Sequence, residues 1–182
     1  MPDDNFEQAL IDLGYDDVLD DNVLTSNISE VTDLSLYNKQ IYDLTGIEGF
    51  TSLVNLSCMS NGLTSLDLSQ NLALTNLDCF SNQLTSLNLG ANTVLTRVDC
   101  YNNKFTSLNL SQNTGLLKLS CMNNLLTSID LSQNINLTYL RIYNNPSLTS
   151  LDVSHNIALT NLDCKDNHRP NSKHGSDSVI LF

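Results

Sequence analysis

Residues 53–71 read Leu53-Val54-Asn55-Leu56-Ser57-Cys58-Met59-Ser60-Asn61-Gly62-Leu63-Thr64-Ser65-Leu66-Asp67-Leu68-Ser69-Gln70-Asn71, and the same frame restarts at Leu74, Leu95, Leu116 and Leu137. Cys58, Cys79, Cys100 and Cys121 follow one another at intervals of 21 residues. Cys164 comes 43 residues later, because Ile142 takes the intervening place and Asn145-Pro146-Ser147-Leu148 is one residue longer than its counterparts. A partial copy begins at Leu159, and a diverged one runs from Leu34-x-Leu36 through Ile41, Leu44 and Ile47 to Phe50. Self-similarity at so short a period is the sequence signature of a solenoid, in which each coil buries its apolar side against its neighbours.

A circuit of 21 residues holds little more than two extended pieces and two turns. Leu56-x-Cys58 alternates as a strand does, and Asn61, Asn82, Asn103, Asn124, Asn145 and Asn167 mark the turn behind it. An inward Asn can hydrogen-bond backbone groups of adjacent turns that would otherwise be buried unpaired. A second column, Asn71, Asn92, Asn113, Asn134 and Asn156, makes the same provision half a circuit later. The pattern predicts parallel β-structure on one face and short strand-like pieces on the other.

Leu-x-x-Leu-x-Cys-x-x-Asn-x-Leu resembles the leucine-rich repeat with Cys at one Leu position. Over residues 31–167 it is similar to the 21-residue cysteine-containing type of internalin-like bacterial surface proteins. The resemblance implies a solenoid of the α/β horseshoe class, mostly β, with a parallel sheet on the concave face and irregular or strand-like segments on the convex face. It also implies binding or adhesion by a secreted or cell-surface bacterial protein.

Composition agrees with repetition. Leu and Asn supply 34 and 25 of the 182 residues, aromatics are 6% and Trp is absent. A hydrophobic content of 41% is too high for a disordered chain, and no run approaches the roughly 18 apolar residues of a membrane span. The acidic start Met1-Pro2-Asp3-Asp4 carries no secretion signal, although a chain starting after a removed signal would look the same. Of the net charge of −12, residues 1–50 contribute twelve acids against Lys39 alone, while residues 51–182 hold eight acids and seven bases. No basic footprint for nucleic acid exists, and membrane insertion is not expected.

The ends depart from the repeat. Residues 1–30 are expected to form an N-terminal cap with a helix over about 4–13, started by Asp3 or Asp4, with Phe6, Ala9, Leu10 and Leu13 at helical spacing before Gly14. Residues 168–182 are expected to form a loop-like tail or C-terminal cap. Val179-Ile180-Leu181-Phe182 could cover the last coil or be a truncated or artificial end.

Chemistry is sparse. Adjacent coils sit about 4.8 Å apart with parallel side-chain directions, poor geometry for a disulfide, so the cysteines are read as buried thiols, with partial pairing or metal binding as the alternative. Asp16, Asp17, Asp20 and Asp21 offer a weak calcium candidate that lacks the ligand order of an EF-hand. His155, His168 and His174 join no nucleophile motif, and neither catalysis nor a cofactor is expected.

The informative contrast is between the faces. On the cysteine strand one outward column reads Asn55, Asn76, Arg97, Lys118, Tyr139, Asn161, a second Ser57, Asp78, Asp99, Ser120, Arg141, Asp163, and a third Met59, Phe80, Tyr101, Met122, Tyr143, Lys165. The opposite strand repeats small polar residues such as Ser65, Asp67 and Ser69. Met59, Phe80, Tyr101, Met122 and Tyr143 would leave an apolar run of about 20 Å in water, with Tyr139, Arg97, Lys118, Arg141, Asp78 and Asp99 beside it as orienting groups. The competing reading is that these side chains pack on one another and bind nothing. The expected partner is a protein or a surface glycan, met by a monomer. The alternatives are a ligand-free spacer, or ice binding through the column Thr64, Thr85, Thr106, Thr127 and Thr149.

Overall fold

The computed structural model describes residues 1–167 and the backbone of Ile180–Leu181. His168, His174 and the rest of the tail lie outside the described residues.

Seven short strands form one parallel sheet: β1 (Asp33–Ser35), β2 (Asn55–Ser57), β3 (Asn76–Asp78), β4 (Arg97–Asp99), β5 (Lys118–Ser120), β6 (Tyr139–Arg141) and β8 (Asn161–Asp163). Each neighbour is one coil away and the register is strict, for example Leu56↔Leu77 and Leu77↔Val98. The alternation of the sequence explains it. The central residues Leu34, Leu56, Leu77, Val98, Leu119 and Leu140 point into the core and their flanking residues face outward. Cys58, Cys79, Cys100 and Cys121 follow their strands, fully buried, and their N–H groups continue the ladder onto Asp78, Asp99, Ser120 and Arg141 carbonyls.

The chain closes each circuit through a second set of buried apolar residues, Leu63, Leu84, Phe105, Leu126 and Leu148, then Leu68, Leu89, Leu110 and Leu131. All belong to one continuous core, in which a fully buried Leu contributes roughly 1.5–3 kcal/mol. The far wall is mostly irregular. It carries one parallel bridge, Asn88↔Asn109, and the pairing of β7 (Ser150–Leu151) with β9 (Ile180–Leu181). Its repeated Asx residues cap turns instead: Asp67, Asn88, Asn109, Asp130 and Asp152 each accept from the N–H two residues on.

The two asparagine columns do different work. Asn82 donates to the carbonyls of Cys58 in the preceding coil and Cys79 in its own, and accepts from Leu63 N–H at 3.1 Å. Asn103 and Asn124 repeat this geometry. In the second column Asn92 donates to Leu68 and Asn71 carbonyls, but the Oδ1 atoms of Asn71, Asn92, Asn113, Asn134 and Asn156 accept from no protein group. The expected equivalence of the two columns therefore holds for donation only.

Before the chain enters the sheet, α1 (Asp4–Asp12) buries Phe6, Ala9 and Leu10 in the same core as Leu34 and Ile41. Asp3 starts the helix, accepting from Asn5 and Phe6 N–H, while its other oxygen accepts from Tyr42 and Asp43 N–H in the first coil. Leu13 ends the helix, and Gly14 turns the chain away at φ +79.

Candidate functional site

The strict register sets the three outward columns side by side across the concave sheet, about 4.8 Å per coil. Their first contacts are internal. Arg97 holds Asp99 through two nitrogens, Nε at 3.0 Å and Nη2 at 2.5 Å, and reaches Asp78 Oδ1 at 3.4 Å without hydrogen-bond geometry. Burial pushes the Asp78 carboxyl above its ordinary range, opposed by Arg97 and reinforced by Asp99. The hydrogen bond to Asp99 raises Arg97, and burial, then Asp99 and Asp78, raise Tyr101.

The apolar column is more closed than its composition suggests. Phe80 and Tyr101 stack with ring centroids 4.2 Å apart and planes within 10°. Met122 is only 7% exposed, which corrects the expectation of an unbroken apolar run in water. Met59 and Tyr143 are half-buried. The parallel sheet explains this: neighbours one coil apart sit at stacking distance, so long side chains cover one another before any ligand arrives.

The cations divide into two kinds. Arg97 is engaged by carboxylates, whereas Lys118 and Arg141 have none within 4.0 Å among the described residues. Arg141 instead lies over the Tyr139 ring, 5.3 Å from its centroid. Two depressions result. One of about 360 Å³ is lined by Asp33, Asn55, Ser57, Asn76, Asp78 and Arg97. The other, of about 420 Å³, is lined by Asp99, Tyr101, Lys118, Ser120, Tyr139 and Arg141 among others.

Three networks escaped sequence reasoning. Asp33 accepts from Asn55, which in turn accepts from Asn76. Asn102, Asn123 and Asn144, all at positive φ, form an outer amide ladder with Asn123→Asn102 at 2.6 Å and Asn144→Asn123 at 2.7 Å. Thr75, Thr96, Thr138 and Thr160 hydroxyls donate to carbonyls of the preceding coil. The columns stood in the sequence, but an exposed polar residue carries no periodic sign of its partner.

Asp16, Asp17, Asp20 and Asp21 do not assemble as a calcium site, and no group of three or more His, Cys, Asp or Glu among the described residues is placed to hold a metal ion. The backbone explains the failure: the N–H groups of Asp20, Asp21 and Asn22 converge on the Glu7 carboxylate, so this loop presents donors inward rather than oxygen ligands. His155 meets Ser154 Oγ at 3.2 Å in an exposed turn. The Thr64, Thr85, Thr106, Thr127 and Thr149 column is exposed on the convex side.

All five thiols are free. Burial pushes Cys58 and Cys121 up to about 12 and Cys79 and Cys100 well above the ordinary thiol range. Cys164, in the last described coil, is only partly buried. Because the thiolate is the reactive species, native protein at pH 8 should react with an aromatic disulfide reagent at Cys164 alone, and denatured protein at all five. Fast reaction of two or more native thiols would contradict the buried ladder.

No protein-family model matches the chain. Internalin J of Listeria monocytogenes serotype 4b (strain F2365) is 42% identical over 71 residues, covering 39% of this chain and 8% of that protein. The solved functional domain of InlJ from Listeria monocytogenes, which includes a cysteine ladder, superposes with a TM-score of 0.85 at 43% identity over 91% of this chain and 37% of that one. The Leptospira interrogans leucine-rich-repeat protein LIC12759 shares the fold alone, with a TM-score of 0.65 at 21% identity over 79% of this chain and 45% of its own. This chain therefore spans well under half the length of the internalin J chains it matches. Periodic sheet, buried thiol ladder and these likenesses converge: the chain is a leucine-rich-repeat solenoid of the 21-residue cysteine-ladder type, similar to bacterial internalins.

Proposed function

We propose that the chain is a non-enzymatic binding module of a secreted or cell-surface bacterial protein, recognising a protein or a surface glycan through the concave sheet. One observation carries this reading: side-chain chemistry changes from coil to coil on the concave face, while the convex wall repeats its Asx turns. A face serving solubility alone could repeat like its opposite. The likeness to internalin J supports a protein-interaction or surface role. Mechanistically, the solenoid holds its groups on a rigid sheet, so binding loses little ordering entropy.

The test is the triple variant Phe80→Ser, Tyr101→Ser, Tyr143→Ser, compared with the parent in a screen against host proteins and a glycan array. The stacked pair is worth about 0.5–1.5 kcal/mol of stability, so folding should survive. Binding should fall by roughly tenfold or more if these rings sit at the interface. Unchanged affinity of the folded variant would exclude this face.

A further inference from the structure

We propose that the depression across β4, β5 and β6 is an anion subsite that takes a single carboxylate, the side chain of an Asp or Glu on a protein partner. This rests on the concave-face reading above and gives it a chemical class. Lys118 and Arg141 line the depression with no carboxylate of the chain within 4.0 Å among the described residues, and the one carboxylate in its lining, Asp99, is ion-paired with Arg97. Arg141 lies over the Tyr139 ring, 5.3 Å from its centroid, a contact that favours this placement of its guanidinium. Arg97, at the edge of the same depression, is already spent on Asp99. Ser120, 7% exposed, lies at the floor and supplies a hydroxyl of either hydrogen-bonding sense.

The flanking charges limit the size of the anion. In the column containing Arg141 the register runs Asp78, Asp99, Ser120, Arg141, Asp163. Acids thus stand on both sides of the cationic window, and Asp99 and Asp163 are three coils apart, about 14 Å at the inter-strand spacing. A polyanionic glycan lying along the sheet would set its repeated charges against these carboxylates. A single carboxylate projecting from a protein surface reaches Lys118 and Arg141 with only Asp99 beside it, whose charge Arg97 already offsets, and the Arg can grip it through two nitrogens.

The probe is a blocked pentapeptide with one central glutamate, titrated into the folded chain to about 20 mM, since an isolated carboxylate contact is worth only millimolar affinity. The glutamine counterpart, N-acetylneuraminic acid and a heparin-derived oligosaccharide run in parallel. The Arg141 Nε–H and Tyr139 ring resonances report binding at the site. The expected result is a saturating shift with the glutamate peptide and none with the glutamine peptide. Lys118→Gln and Arg141→Gln should each weaken binding at least about fivefold, whereas Lys104→Gln, which removes a cation outside the depression, should not.

Absence of any shift overturns the proposal, as does equal weakening by Lys104→Gln, which would mark general charge attraction. Tighter saturation by either sugar overturns the choice of partner class. A macromolecular partner that loses affinity for the triple aromatic variant but not for Lys118→Gln/Arg141→Gln would sink this subsite and leave the concave-face reading standing. Indifference to both variants would remove the reading itself.

Discussion

Asn124→Ala is expected to destabilise the chain by about 4 kcal/mol, while Asn123→Ala, one residue away, should cost only about 1–2 kcal/mol. The two amides differ in what they hold. Asn124 is 3% exposed, donates to the carbonyls of Cys100 and Cys121 at 3.2 and 3.0 Å, and accepts from Phe105 N–H at 3.1 Å. Truncation leaves Phe105 N–H buried without a partner, a loss of roughly 1–3 kcal/mol, and takes one of two amide donors from the Cys100 and Cys121 carbonyls, which keep Asn103 and Asn145, at about 0.5–1.5 kcal/mol for each hydrogen bond lost. Asn123 loses a positive-φ preference and two exposed amide contacts that water can replace. Urea unfolding of both variants is the measurement, and equal losses would show that the inner column is not what satisfies the backbone. Because each coil contacts only its neighbours, the Ala variant should also broaden the transition as the two halves uncouple.

The Asp variant at the same position separates hydrogen bonding from shape. Asn124→Asp keeps the acceptor for Phe105 N–H but points its second oxygen at the Cys100 and Cys121 carbonyls, so only the protonated acid can donate. Burial and those carbonyls raise its folded-state pKa above the unfolded value. A raised pKa means that the stability is present at low pH and lost as pH rises through the folded value. The variant should therefore approach the parent near pH 4 and fall away toward neutrality.

The same column shows why the fold was legible. A residue that must face inward in every coil is written again every 21 positions, and Leu56, Cys58 and Asn61 each announce their column. The partners of outward residues carry no such signal. Met122 reads like an exposed thioether until the sheet brings Tyr101 and Tyr143 to either side of it in register. Ser60, Ser81, Asn102, Asn123 and Asn144 look like ordinary polar spacing, yet all occupy positive φ, and Asn102, Asn123 and Asn144 build an outer ladder that ends on Ser81 Oγ, which accepts from Asn102. The binding candidates were legible as positions that vary. That Arg97 is engaged by acids, while Lys118 and Arg141 have no carboxylate within 4.0 Å among the described residues, depends on rotamers, which the pattern does not encode.

Glu7 gives the second large expectation, and its role was invisible to periodicity because its partners lie 13 to 15 residues away in an irregular loop. Its side chain is fully buried, and its carboxylate accepts from Asp20, Asp21 and Asn22 N–H at 2.9, 3.0 and 3.2 Å. Glu7→Ala strands the Asp20 and Asp21 N–H groups, leaves Asn22 N–H with Asp20 Oδ1 alone, and opens a cavity, a loss of about 2–4 kcal/mol confined to the N-terminal segment. Phe6, Ala9 and Leu10 pack in one core with Leu34 and Ile41, so releasing α1 exposes apolar surface of the first coil. Limited proteolysis should cut the variant between α1 and β1 under conditions where the parent is intact, and a hydrophobic dye should bind it, while the cysteine ladder stays protected. Glu7→Gln should fall between the two, since its amide oxygen can still accept but its NH₂ faces donors. Calcium should restore neither variant, because the stranded groups are N–H donors that need an anion. Rescue by calcium would return the Asp16–Asp21 loop to the list of metal sites, and wild-type protease resistance in Glu7→Ala would show that the carboxylate does not hold the segment.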